Sequence, residues 1–156
     1  MLEFLEVKAS DGWVAEQIIR LERMVFGSGA VDAWSLPPLI RHGRVFVIEE
    51  DGHVLAVVEY MRDFDDGQAV YLYGLAVQPN ARRQGLAQKL LCNSFRCLAR
   101  KGFSRVYLTV APDNEAALRL YVDAFGFNRV AYYPHEYGKG VHRYLLSYSL
   151  KEEMDG

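Results

Sequence analysis

The stretch Leu75-Ala-Val-Gln-Pro-Asn-Ala-Arg-Arg-Gln-Gly-Leu-Ala-Gln-Lys-Leu-Leu91 constrains this chain more than any other. A β-rich run enters it and stops at Pro79, which has no N–H to give a ladder. Arg82, Arg83 and Gly85 follow, and apolar residues then recur at helical spacing. The order is strand, glycine-bearing turn, helix N-terminus. The first N–H groups of a helix lack intrahelical acceptors and sit at the positive end of its dipole, so this turn is a ready anion site. The next β-rich run, Ser104 to Val110, comes after a strand and a helix. It is therefore expected to lie parallel to the Ala69–Val77 strand, joined by a right-handed crossover.

The remaining pattern is that of a mixed sheet. Glu3 to Lys8 partly alternates and reads as a first strand. Asp11 is placed to cap a helix over Trp13–Val25, in which Val14, Ile18, Leu21 and Val25 keep helical spacing. Gly27-Ser28-Gly29 ends it. A short second helix is expected from Ser35, its N-cap, with early prolines, to about Gly43. Arg44–Glu49 and Val54–Met61 read as a hairpin across Asp51-Gly52. A second turn, Asp63–Gly67, leads to the Ala69–Val77 strand. The long helix is expected over Arg82–Arg100, with Leu86, Leu90, Leu91, Phe95 and Leu98 on its apolar face and Gly102 as its stop. Pro112-Asp113-Asn114 opens a helix carrying Ala117, Leu118, Tyr121 and Phe125, and Phe127–Tyr133 and Val141–Leu150 are the last strands. The polar tail from Lys151 is expected to fray.

The totals narrow the function classes. A chain of 156 residues, 51% hydrophobic and 24% charged, suits one globular domain over 1–156. A net charge of −2 argues against a general nucleic-acid binder. No apolar run approaches the roughly 18 residues that cross a bilayer. Leu-Glu-Phe-Leu-Glu after Met1 lacks the basic start and apolar core of a signal peptide, so no membrane partner and a cytoplasmic location are expected. Cys92 and Cys97 are five residues apart on one helix and point in different directions, which disfavours a disulfide. No histidine cluster suggests a metal.

Two motifs carry a family resemblance. Arg82-x-x-Gly85-x-Ala87, within Gln78-Pro-Asn-Ala-Arg-Arg-Gln-Gly-Leu-Ala87, resembles the cofactor-binding motif of the GNAT N-acetyltransferases. Asn114-x-x-Ala117-x-x-x-Tyr121 followed by Phe125-Gly126-Phe127 is similar to a second element of that family, and the element order agrees over nearly the whole chain. The resemblance implies an α/β (α+β) fold with a mixed, mostly antiparallel sheet of six to seven strands and helices on both faces. It implies acetyl-CoA as co-substrate and a primary amine as acceptor, either a small molecule or a protein N-terminus, with a homodimer left open. It also implies that Leu75, Ala76 and Val77 offer free backbone groups to the pantetheine arm, on a strand that splays from its neighbour.

The residues fit that chemistry on physical grounds. The backbone N–H groups of Arg83, Gln84, Gly85, Leu86, Ala87 and Gln88 can face a pyrophosphate, with Arg82 and Arg83 adding charge. Gly85 and Ala87 keep the backbone approachable. Asn114 is placed to cap its helix, to touch the cofactor arm, or both. Direct acetyl transfer expels a thiolate that needs a proton, and the resemblance puts Tyr121 at the general-acid position. The alternative for Tyr121 is a core tyrosine with a satisfied hydroxyl.

The proton acceptor is less legible. The chain also resembles the branch that acetylates protein N-termini, through Glu22-x-x-x-Phe26, Trp34-Ser35 and Tyr132-Tyr-Pro134. That branch carries a glutamate where this chain has Thr109, which cannot be the base. Glu59, on a strand beside the one bearing Tyr73, is the candidate base, with a solvated strand residue as its alternative. Tyr73, His135 and Glu136 are the others. A non-catalytic acyl-CoA binder, acting as sensor or scaffold, is the competing reading.

Overall fold

The structure, a computed structural model, describes residues 1–150. The expectation for the tail from Lys151 lies outside them. Seven strands form one sheet in the order β1-β2-β3-β4-β5-β7-β6, and the pairs β1/β2, β2/β3, β5/β7 and β6/β7 are antiparallel. They are β1 (Leu2–Glu6), β2 (Arg44–Glu50), β3 (His53–Arg62), β4 (Ala69–Val77), β5 (Arg105–Val110), β6 (Asn128–Tyr133) and β7 (Arg143–Ser149). β4 and β5 pair in parallel over Ala69–Tyr71 and Arg105–Tyr107, as the intervening helix requires. Among the described residues no helix is long and apolar enough to cross a membrane.

Contacts divide the chain into two units. The first is Met1–Arg62 with Leu72–Cys97, and the second, among the described residues, is Asp63–Tyr71 with 98–150.

In the first unit, α1 (Gly12–Phe26) and α2 (Leu36–His42) cover one face of the sheet. Val14, Ile18 and Leu21 of α1 and Leu36, Leu39 and Ile40 of α2 are buried with Val45, Val47 and Val57. Successive side chains on a strand point to opposite faces. Glu59 on β3 faces Glu22 of α1, whereas the Tyr60 hydroxyl bonds Ser94 of α3 (Leu86–Arg100) at 2.7 Å. Helices therefore lie on both faces. The β2–β3 hairpin turns through Asp51 and Gly52, both at positive φ (51° and 81°), as an Asp-Gly loop allows. Gln17 ties α1 to this hairpin. Its Nε2 donates to Gly52 O and its Oε1 accepts from Val54 N–H, each at 2.9 Å.

Several local expectations are corrected. Asp11 does not cap α1 with its side chain; its Oδ2 accepts from Lys8 N–H instead. Ser35 makes no side-chain cap on α2: its Oγ accepts from Asp32 N–H and donates to Asp32 Oδ1, each at 3.0 Å, and Pro37 and Pro38 have no N–H to offer it. α3 begins at Leu86 rather than Arg82, after a 3-10 turn at Pro79–Ala81.

In the second unit, α4 spans only Glu115–Leu118 and runs on into a π-helical segment, Arg119–Ala124. Phe125 N–H bonds Leu120 O, five residues back, at 3.2 Å. β5, β7 and β6 complete this unit.

Candidate active site

The expected cofactor loop belongs to the first unit. Arg82, Arg83, Gln84, Gly85 and Gln88 are exposed, Ala87 is half-buried and Leu86 is buried. Leu86 is an apolar anchor that fixes the helix end while the turn faces solvent. Arg83 and Gly85 both adopt left-handed backbone, at φ 69° and 72°. At the start of α3, Lys89 N–H bonds Gly85 O at 3.0 Å, so the N–H groups of the residues just before Lys89 lack intrahelical acceptors. A Cβ built on Gly85 meets no protein atom within 4 Å. Glycine is needed here for its φ, and the space above it is open. These features fit an anionic group such as a pyrophosphate. Of the three preceding strand residues, Ala76 is buried and Leu75 and Val77 are half-buried. Among the described residues β4 has register partners on β5 only up to Tyr71, ahead of Leu75.

Glu59 also lies in the first unit, and it is not a solvated strand residue. It is 0% exposed. Glu22, on α1, is 2% exposed. Glu22 Oε1 accepts from Val31 N–H at 3.0 Å, whereas Glu22 Oε2 and both Glu59 oxygens are buried with no hydrogen-bond partner when both groups are ionised. Burial holds the Glu59 carboxyl well above the usual carboxylate range, and the neighbouring Glu22 charge pushes it further. A proton on Glu59 supplies the missing donor, and Glu22 is its acceptor. Gly74 on β4 makes room for the pair, because a Cβ there would lie 2.8 Å from Glu59 Oε1 and 3.6 Å from Glu22 Oε2.

Tyr121 belongs to the second unit, on the π-helical segment. It is buried, with its ring edge-on to Phe127 at 5.4 Å. Burial alone raises its phenol above the ordinary value, and its hydroxyl has no hydrogen-bond partner among the described residues. A tyrosine serving only the core would have that hydroxyl satisfied. Asn114 caps α4, its Oδ1 accepting from Ala117 N–H at 3.1 Å. This uses the side-chain oxygen, and Ala117 is half-buried beside it.

Thr109 is engaged by Tyr71, hydroxyl to hydroxyl at 2.9 Å. Burial pushes the Tyr71 phenol up to about 12, and Tyr137 adds to the rise. Tyr73 is 47% exposed. His135 and His142 hold the β6–β7 loop through their Nδ1 atoms. Each accepts a backbone N–H, from Gly140 at 2.8 Å and from His135 at 3.0 Å respectively.

A family model, described as "Acetyltransferase (GNAT) family", matches residues 16–127. The chain belongs to the GNAT acetyltransferase family. A [Ribosomal protein bS18]-alanine N-acetyltransferase of Haemophilus ducreyi is 40% identical over 67 residues, which are 40% of this chain and 46% of that protein. The Escherichia coli protein of the same description is 37% identical over 67 residues, 40% of this chain and 45% of its own. The match thus spans less than half of these relatives' length. Among solved structures, Ard1 from Thermoplasma volcanium superposes with a TM-score of 0.83 at 19% identity, covering 97% of this chain and 99% of that one. An acetyltransferase from Salmonella typhimurium, solved with its cofactor acetyl-CoA, gives 0.72 at 22% identity, with 97% and 95% covered. Both share the fold.

Glu22 was seen in the sequence only as part of the family likeness. One signal marks it as more. Val14, Ile18 and Glu22 recur every four residues, which puts a carboxylate on the buried stripe of α1.

Proposed function

We propose that this chain is an acetyl-CoA-dependent N-acetyltransferase acting on a primary amine. The observation that carries the reading is Tyr121, a buried phenol whose hydroxyl keeps its proton and has no protein partner. An acid of that kind suits a leaving thiolate. The exposed Arg82–Gln88 turn, with its left-handed Gly85, suits the pyrophosphate of acetyl-CoA. Acetyl-CoA, when bound, supplies an activated acyl thioester.

The chain's own groups then have separate tasks. Backbone N–H groups at Leu75–Val77 orient the pantetheine arm. Glu59 takes the proton that an alkyl ammonium must lose before its nitrogen can attack. Tyr121 Oη holds the proton for the departing sulfur. No side-chain nucleophile is needed, so transfer is direct. The acceptor class favoured by the bS18-alanine relatives is the α-amino group of a protein N-terminus.

Tyr121→Phe tests the reading. Turnover should fall at least about tenfold, with acetyl-CoA affinity kept within error by calorimetry. Unchanged turnover would remove Tyr121 from the chemistry.

A further inference from the structure

Buried carboxylates without partners are rare, because an uncompensated charge in a low-dielectric interior is costly. This fold buries two side by side. Glu22 comes from α1 and Glu59 from β3, and three of their four oxygens have no donor when both are ionised. The surroundings are built for them. From β2, the register partner of Glu59 is the apolar Val45. From β4, Gly74 leaves the space that any side chain would fill. From the segment after α1, the Val31 N–H fixes Glu22 Oε1 and so turns Oε2 toward the Gly74 side. Among the described residues, Glu22 is the charged group that acts on Glu59. A residue serving only to anchor Val31 would not need a second carboxyl facing it.

We propose that Glu22 is a positioning residue for Glu59: the two carboxyls share one proton, and the pair that has lost it is the base that deprotonates the acceptor amine. This rests on the acetyltransferase reading above and names the regulation of its base. In the step, one N–H bond of the ammonium breaks and one O–H bond forms on Glu59. The nitrogen keeps the electron pair and Glu22 accepts the new hydrogen bond. Two like charges at close range cannot both ionise easily, so the second carboxylate becomes a strong base, closer in strength to an alkyl amine than a lone glutamate is. Gly74, against which both carboxyls lie, directly precedes Leu75–Val77 on β4, the segment expected to hold the pantetheine arm.

The experiment titrates the glutamate side-chain carbonyls by carbon-13 NMR in the wild-type chain and in Glu22→Gln, alongside the pH dependence of kcat/KM. Gln keeps the acceptor for Val31 but loses the charge. Glu59 should titrate about one pH unit or more lower in Glu22→Gln. The acidic limb of kcat/KM should move down with it, and the plateau should drop because the base is weaker. An unmoved Glu59 titration overturns the proposal. So does a lowered plateau with an unmoved limb, which is the signature of lost packing. If Glu22→Gln does not fold, the wild-type titration decides, and a Glu59 ionised at neutral pH overturns the pairing. If Glu59 shifts as expected while the wild-type chain acetylates no amine, the pairing stands, and both the acetyltransferase reading and the pair's catalytic use fall.

Discussion

Gly74→Ala measures how tightly the sheet is fitted to the Glu22–Glu59 pair. The glycine has ordinary extended backbone, so alanine suits its conformation and a strand interior gains about 0.5–1 kcal/mol from the exchange. The added Cβ would sit 2.8 Å from Glu59 Oε1, inside contact distance, and 3.8 Å from Glu59 Cδ. Glu59 is 0% exposed and has no solvent to move into. Overpacking of this kind costs about 1–3 kcal/mol. The net effect is a loss of roughly 0–2.5 kcal/mol, or up to several degrees in Tm at about 2–4 °C per kcal/mol for a chain of this size. In a Glu59→Ala background the clash is gone, and Gly74→Ala should stabilise by about 0.5–1 kcal/mol. The two changes should therefore couple by about 1–3 kcal/mol, readable from urea unfolding of the four proteins. Additivity within about 0.5 kcal/mol would show that the carboxyl does not occupy the space Gly74 leaves, and the account of the pair would fail.

Glu59→Gln should change how stability depends on pH. The folded-state carboxyl titrates well above its ordinary 4.5. The native state therefore holds this proton longer than the unfolded chain does. The associated stability is fully present below about pH 4 and is lost as pH rises toward the folded value, by at most about 1.4 kcal/mol per unit for one proton. The Gln variant should lack that slope, and denaturation from pH 4 to 9 compares them; equal slopes would mean an ordinary, solvated carboxyl. Gly85→Ala places a Cβ on a residue at φ 72° with open space around it. It should cost only about 1 kcal/mol of stability yet weaken acetyl-CoA binding measured by calorimetry, and unchanged affinity would remove Gly85 from the cofactor site.

The parts of this fold that were legible are those with local causes. Pro79 ended β4, Asp51-Gly52 made the hairpin, and the strand–helix–strand order set β5 parallel to β4. Asn114 capped its helix as its type predicts. Features with distant causes were hidden. Asp11 and Ser35 have the chemistry of caps, but the Asp11 carboxylate accepts from Lys8 N–H and the Ser35 hydroxyl is bonded to Asp32. The π-helical segment around Tyr121 has no marker in Arg119–Ala124 itself. Glu59 reads as an exposed strand position from its polarity. Only the docking of α1 and the absence of a side chain at Gly74 make it a buried one. The loop expected to bind an anion does lead into a helix, which starts at Leu86 rather than at Arg82.

The central claim is acetyl transfer from acetyl-CoA to an amine. Its most direct test is incubation of the wild-type chain with acetyl-CoA and a panel of peptides and small primary amines, followed by mass spectrometry and thiol release. The account predicts one acetyl group on the acceptor nitrogen, matched mole for mole by free CoA thiol. Acetyl-CoA bound by the chain, with every amine unmodified and no thiol released, would contradict it and identify a binding protein instead.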